Sequence, residues 1–153
     1  MARKQIGVIG AGSCSPEIYE LAREVGREIG RRGHVLVCGG LGGVMEAACR
    51  GAKEVGGLTV GILPSSSTRE ANPWVDVAIA TGMGEARNVI IVHTCEGLIA
   101  VSGGWGTLSE IAIALKVGKP VVSLRSFTPS SSLIEAKDPR EAVEVLLEIL
   151  RGR

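Results

Sequence analysis

Aromatic side chains are almost missing from this chain, which has two Trp, one Tyr and one Phe in 153 residues. A core made from it has to be packed with Val, Ile, Leu and Ala. Cysteine is sparse too, at positions 14, 38, 49 and 95, and no two lie within the two- to four-residue spacing of a zinc-ligating pair. That spacing excludes a zinc-type metal site, and the composition argues against a disulfide framework, so Cys38, inside an apolar run, reads as a small buried hydrophobe. Neither sign of charge dominates: 17 basic residues stand against 16 acidic ones, a formal net charge of +1. No broad positive field exists to hold a nucleic-acid backbone. No apolar run approaches the ~18 residues of a membrane span, and residues 1–4 run into a short strand rather than a leader-type apolar segment. The expectation is a cytoplasmic protein with neither a membrane nor a nucleic-acid partner.

Glycine is what the chain has in excess, with 22 residues, about twice the usual share of ~7%. With 45% apolar and 22% charged residues the chain is globular, and its length suits one domain over residues 1–153. Short, continuously apolar runs at 5–10, 34–38, 58–63, 75–80, 97–101 and 120–124 read as strands, with a further short one near 133–134. Helical spacing lies between them. Ser15, Pro16 and Glu17 form a helix start ahead of Ile18, Leu21, Ala22, Val25 and Ile29. Val44, Ala47, Ala48 and Val55 mark a second helix, residues 85–92 a third, and Leu108, Ile111, Ala112 and Leu115 a fourth. Asp138, Pro139 and Glu141 follow capping-box order for the last. Alternating apolar strands and helices predict an α/β fold: a single-domain, Rossmann-like, doubly wound parallel sheet with helices on both faces.

Three glycine-rich loops follow strands and precede helices, at 10–15, 39–43 and 102–107. A parallel sheet puts all three on one edge, where such sheets bind ligands. In the third loop Gly103, Gly104 and Gly106 leave the backbone open to close approach. The helix start near Thr107 offers unpaired N–H groups, and Thr107 adds a hydroxyl. Together these suit a phosphate. No Lys follows the glycines, so the loop is not the Walker type, and Gly10-Ala11-Gly12 lacks the third glycine of a dinucleotide fingerprint. Gly10, Gly12, Ser13, Gly39, Gly40, Gly42 and Gly43 are the candidate ligand contacts of the first two loops.

With these motifs in view, the chain resembles the LOG family, also labelled lysine decarboxylase-like, which contains cytokinin-activating nucleoside 5′-monophosphate phosphoribohydrolases and related molybdenum-cofactor carriers. The pattern PGGxGTxxE matches residues 102–110, with Ser102 in place of Pro, and a GGxxGxM-type pattern matches residues 39–45. The resemblance implies that Glu110 and an Arg, best matched by Arg87, are catalytic. Met83, Asn88 and Trp105 would join the binding residues. The family's Met-x-x-Arg-Lys is replaced here by Met83-Gly84-Glu85-Ala86-Arg87-Asn88. The resemblance implies a homodimer or larger assembly, no cofactor for hydrolysis, and the molybdenum cofactor as a carried ligand in the alternative. Nothing in the sequence calls for a pyridoxal-phosphate lysine.

Glu110 lies about one helical turn past Thr107 and can point back to the ligand edge. A carboxylate beside a ribose can stabilise a ribosyl cation-like transition state and orient water, while Arg87 pairs with phosphate or assists the departing base. Two readings follow. One is hydrolysis of the N-glycosidic bond of a nucleoside monophosphate; the other is a nucleotide- or molybdenum-cofactor-binding protein that does not turn its ligand over. Trp105, placed in the loop, either stacks on a base or packs at a subunit contact. His34 is expected to face solvent and His93 to be structural.

Overall fold

Continuous apolar runs hold the centre of the molecule. The structure, a computed structural model, describes residues 2–153. Its strands are β1 (Gln5–Ile9), β2 (Val35–Cys38), β3 (Leu58–Leu63), β4 (Val77–Ala80), β5 (Gly97–Val101), β6 (Val121–Leu124) and β7 (Ile134–Glu135). They form one sheet in the order β4-β3-β2-β1-β5-β6-β7, and every neighbouring pair is parallel. The pleat sends alternate residues to opposite faces. Ile6 and Val8, or Ile99 and Val101, point into one core with α1 (Pro16–Arg31), α2 (Val44–Glu54) and α5 (Pro139–Arg151). Ile9, or Leu98 and Ala100, point into the other with α3 (Arg87–Thr94) and α4 (Trp105–Lys116). This is the α/β doubly wound arrangement that the sequence predicts.

The chain lays β1, β2, β3 and β4 outward in one direction, then returns through α3 to place β5 on the other side of β1. The strand order therefore reverses between β1 and β5. Parallel sheets open a crevice at such a reversal, beyond the carboxyl ends of the strands.

Local chemistry sets the boundaries. Ser15 Oγ accepts the Ile18 N–H at 3.2 Å, and Asp138 accepts the Glu141 N–H at 2.8 Å, so α1 and α5 carry the caps expected of them. The fourth strand is shorter than the apolar run, because Asp76 Oδ2 takes the Thr59 N–H at 3.0 Å and Thr59 Oγ1 donates to Trp74 O at 2.6 Å. Side chains thus surround the one backbone bond ahead of the ladder, Asp76 N–H to Thr59 O at 3.1 Å, and regular pairing begins at Val77. The helix expected at 85–92 is divided into a 3-10 turn at Gly84–Ala86 and α3, after Gly84 with φ 57°. Helix α4 begins at Trp105, before the expected start, so Trp105 belongs to its first turn and not to a loop. His34 does not face solvent. It is 6% exposed, and its Nδ1 accepts the Lys4 N–H at 2.9 Å, tying the chain start to the head of β2.

Helices α1 and α2 meet backbone to backbone. A Cβ on Gly26 would stand 1.9 Å from Ala48 O, and one on Gly51 would stand 1.9 Å from Arg23 O. No side chain fits between them. Gly26→Ala is expected to destabilise the fold by about 1–3 kcal/mol through overpacking, although alanine is the better helix former. A denaturant midpoint at or above that of the unsubstituted chain would refute this.

Candidate functional site

A cleft of about 260 Å³ lies at the β1/β5 reversal. Its walls come from the loop after β1 (Gly10, Ala11, Gly12), from Gly39, Leu41 and Met45 around the start of α2, from Glu85, Arg87 and Asn88, and from Gly104, Gly106, Thr107 and Glu110 of α4. Two helix starts flank it, and they differ. The first N–H of α2, from Val44, already donates to Ala11 O at 3.0 Å. Helix α4 has Gly104 as its N-cap and no side-chain cap. Helix α2 likewise has a glycine N-cap, Gly43, and no side-chain cap, so α4 differs in keeping its first N–H as one more donor for an anion. A Cβ on Gly104 or Gly106 would meet no protein atom within 4 Å, so these two glycines keep space open rather than permit packing.

Glu110 and Arg87 line this cleft together. Glu110 is 7% exposed, and burial raises its carboxyl to about 7, against a smaller opposing pull from Arg87. No ion pair within 4 Å joins the two among the described residues. Arg87 is held from behind instead. Its Nε donates to Ile62 O at 3.0 Å, and another nitrogen donates to Asn88 Oδ1. Asn88 Nδ2 in turn donates to Ser109 Oγ at 3.2 Å, and Ser109 Oγ donates to Gly106 O at 2.7 Å. A polar chain thus links the guanidinium to the first turn of α4. Gly39 makes room for it, since a Cβ there would stand 2.7 Å from an Arg87 nitrogen.

The SLOG cluster4 family model matches residues 3–148. The chain belongs to the SLOG cluster4 family. This SLOG chain is 54% identical over 143 residues to an uncharacterized protein of Archaeoglobus fulgidus, covering 94% of each. It is 39% identical over 122 residues to a cytokinin riboside 5′-monophosphate phosphoribohydrolase of Mycobacterium tuberculosis, covering 73% of this chain and 65% of that one, so the match spans just under two thirds of the relative. Among solved structures, the molybdenum cofactor binding protein from Rippkaea orientalis superposes with a TM-score of 0.93 at 40% identity, covering 98% of this chain and 99% of that one. The Moco carrier protein from Chlamydomonas reinhardtii gives 0.89 at 34%, covering 99% and 100%. The resemblance to LOG proteins with a carrier branch, read from the motifs, is met by both sets of relatives.

The SLOG fold divides the expected contacts. Gly10, Gly12, Gly39, Asn88, Gly104, Gly106 and Thr107 line the cleft with Arg87 and Glu110. Gly40, Gly42, Gly43, Ser13, Met83, Gly103 and Trp105 do not. Gly43, with φ 61°, packs on Ala11 O, and Gly42 stands against Gly12 O, so this pair clamps the second loop to the first. Gly40, with φ 77°, packs on Leu63 and Gly61. Ser13 is exposed, Met83 is half exposed, and Trp105 projects outward, 85% exposed. Sequence reasoning missed Ser109, Leu41 and Met45. A serine one residue before a motif glutamate carries no signal of its own.

Burying Glu110 has a thermodynamic signature. Its folded value of about 7 lies above the ordinary 4.5, so the folded state holds this proton more tightly, and stability declines as pH rises from about 4.5 to about 7. Glu110→Gln is expected to be more stable than the unsubstituted chain at pH 8, by up to about 3 kcal/mol, and nearly equal to it at pH 4. Urea unfolding at the two pH values measures this. An equal difference at both would refute the assignment.

Proposed function

We propose that the cleft binds a nucleoside 5′-monophosphate, its phosphate on the N–H groups that open α4, and that Glu110 and Arg87 cleave the N-glycosidic bond. The supporting observation is the buried Glu110 carboxyl, poised near 7 beside a fixed guanidinium in an open glycine-walled cleft. Ionised Glu110 stabilises positive charge developing on the ribose and takes a proton from the attacking water. The C1′–N bond breaks, a C1′–O bond forms, and the proton that Glu110 takes from water passes to the departing base, which restores the ionised carboxylate. The products are base and ribose 5-phosphate. Arg87, held by Ile62 O and Asn88, pairs with an oxyanion without having to be ordered first. No cofactor is needed for this reaction.

A second reading, storage of the phosphorylated pterin of the molybdenum cofactor as cargo without turnover, has its own support. Ser102 stands where the hydrolase pattern has Pro, with φ 49° and its N–H donating to Leu124 O at 3.1 Å. Proline allows neither. The similarity to cofactor-binding proteins also runs the whole length of the chain. Both readings use the chain as one domain. Both include a homodimer, for which Val89, Trp105 and Val117 on α3, on α4 and just past the end of α4 leave apolar surface exposed. Among the described residues no helix is long and apolar enough to cross a membrane.

Chromatographic detection of free base from a panel of monophosphates decides between the readings. The hydrolase reading expects base release whose kcat/KM falls as pH drops below about 7, the limb set by Glu110, and a limb moved upward in Arg87→Ala. Tight binding of the panel or of molybdenum cofactor with no base released would leave only storage. Gly106→Ala separates binding from folding. It is expected to keep or raise stability, by up to about 1 kcal/mol, while weakening phosphate-ligand affinity at least ~10-fold. Undiminished affinity in calorimetry would remove the α4 start from the site.

A further inference from the structure

Hydrolysis and storage both leave one charged side chain of the cleft wall without a task. Among the polar residues that line the cleft, Thr107 and Glu110 are buried, and Arg87 and Asn88 are bonded to each other. Glu85 differs from all of them. It is exposed, and among the described residues it joins no ion pair within 4 Å. The cation two residues along, Arg87, directs its donors to Ile62 O and Asn88 instead. The Glu85 carboxylate is therefore available to a ligand, and an ionised carboxylate can only accept hydrogen bonds.

The turn that carries it, Gly84–Ala86, is fixed at the end of β3. The Gly82 N–H donates to Ser65 O and the Gly84 N–H to Pro64 O, each at 2.9 Å, and Arg87 Nε donates to Ile62 O. Gly84, with φ 57°, turns the chain at that point. The α4 start follows β5, and the sheet order β3-β2-β1-β5 puts three strand spacings, about 14 Å, between the two ends. A mononucleotide laid across the strand ends spans that gap, with its phosphate on α4, its ribose by Glu110 and Arg87, and its base toward β3. Leu41 and Met45, which follow β2, supply an apolar wall for the ring on the way. Glu85 thus meets the edge of the base rather than the phosphate.

We propose that Glu85 selects the ligand by that edge, taking a ring that presents two adjacent N–H donors. A carboxylate accepts two such parallel bonds. The 2-amino-4-oxopyrimidine edge of guanine matches it, with a ring N–H beside an amino group, and pterins carry the same edge. Adenine and cytosine set a ring-nitrogen lone pair beside the amino group, so one carboxylate oxygen would face a lone pair. Hypoxanthine and uracil offer a single N–H there. The inference rests on the proposed phosphate site and adds the class of ring that the cleft prefers.

Calorimetry with GMP, IMP and AMP tests it, in the Glu110→Gln background so that no ligand is consumed. GMP is expected to bind at least ~10-fold more tightly than AMP or IMP. Glu85→Gln turns one acceptor into a donor, which suits adenine and opposes guanine, so AMP is then expected to bind at least as tightly as GMP. Glu85 is exposed, so the substitution leaves the fold intact. A pterin carrying a phosphomethyl group at C6 is the second arm, and its binding is also expected to weaken in Glu85→Gln. Binding tighter than that of GMP makes a pterin the source of the edge, and weaker binding makes it a nucleotide. If AMP binds and GMP is no tighter, or if Glu85→Gln weakens AMP and GMP alike, as a contact to the ribose hydroxyls would, the selection by Glu85 is overturned while the cleft stands. If neither the nucleotides nor the pterin phosphate binds, the phosphate site falls and the role of Glu85 falls with it.

Discussion

Every strand of this sheet runs in the same direction, and that constraint decides where anything can bind. All seven carboxyl ends lie on one edge, and every helix that follows a strand starts there. The helices cover both faces, so the loops that follow the strands meet along that edge. Placing β5 against β1 instead of extending the β2–β3–β4 side parts the loops at one point, and the cleft forms at that point.

The glycines along that edge then divide the labour. Gly42 and Gly43 hold the second loop against the first, Gly39 admits a guanidinium, and Gly104 and Gly106 face empty space. The helix starts show the same division. Helix α2 spends its first N–H on Ala11 O, and α1 is closed by Ser15, while α4 begins on a residue that has nothing to close it with. Glu110, one turn further along α4, is buried where an ionised carboxyl is disfavoured. The region that gains least from the fold is the region most open to a ligand.

Much of this could be read beforehand. Strand and helix order followed from apolar runs and spacing, because buried parallel strands leave a contiguous apolar record, and the caps at Ser15 and Asp138 are side-chain chemistry visible in single letters. The grouping of Glu110 with Arg87 came from motif resemblance, with no contact pattern behind it. What could not be read was how equivalent-looking glycines differ. Gly42 and Gly106 occupy similar motifs, yet one packs on backbone and the other on nothing, and only the three-dimensional neighbour decides which. The burial of His34 depended on the Lys4 N–H, a partner thirty residues away in sequence. The shortened fourth strand depended on Asp76 reaching Thr59 across the sheet.

The direct backbone contact between α1 and α2 has a mechanical consequence. Two helices with carbonyl oxygens seated over glycine Cα atoms have no side-chain layer that could shear, so the half of the molecule carrying the first two loops behaves as a solid block. The opposite bank, a 3-10 turn leading into an eight-residue helix, has no such interlock. That bank is tied to the sheet through a side chain instead, the Arg87 Nε donation to Ile62 O, so the width of the recess on that side rests on one guanidinium and its polar neighbours.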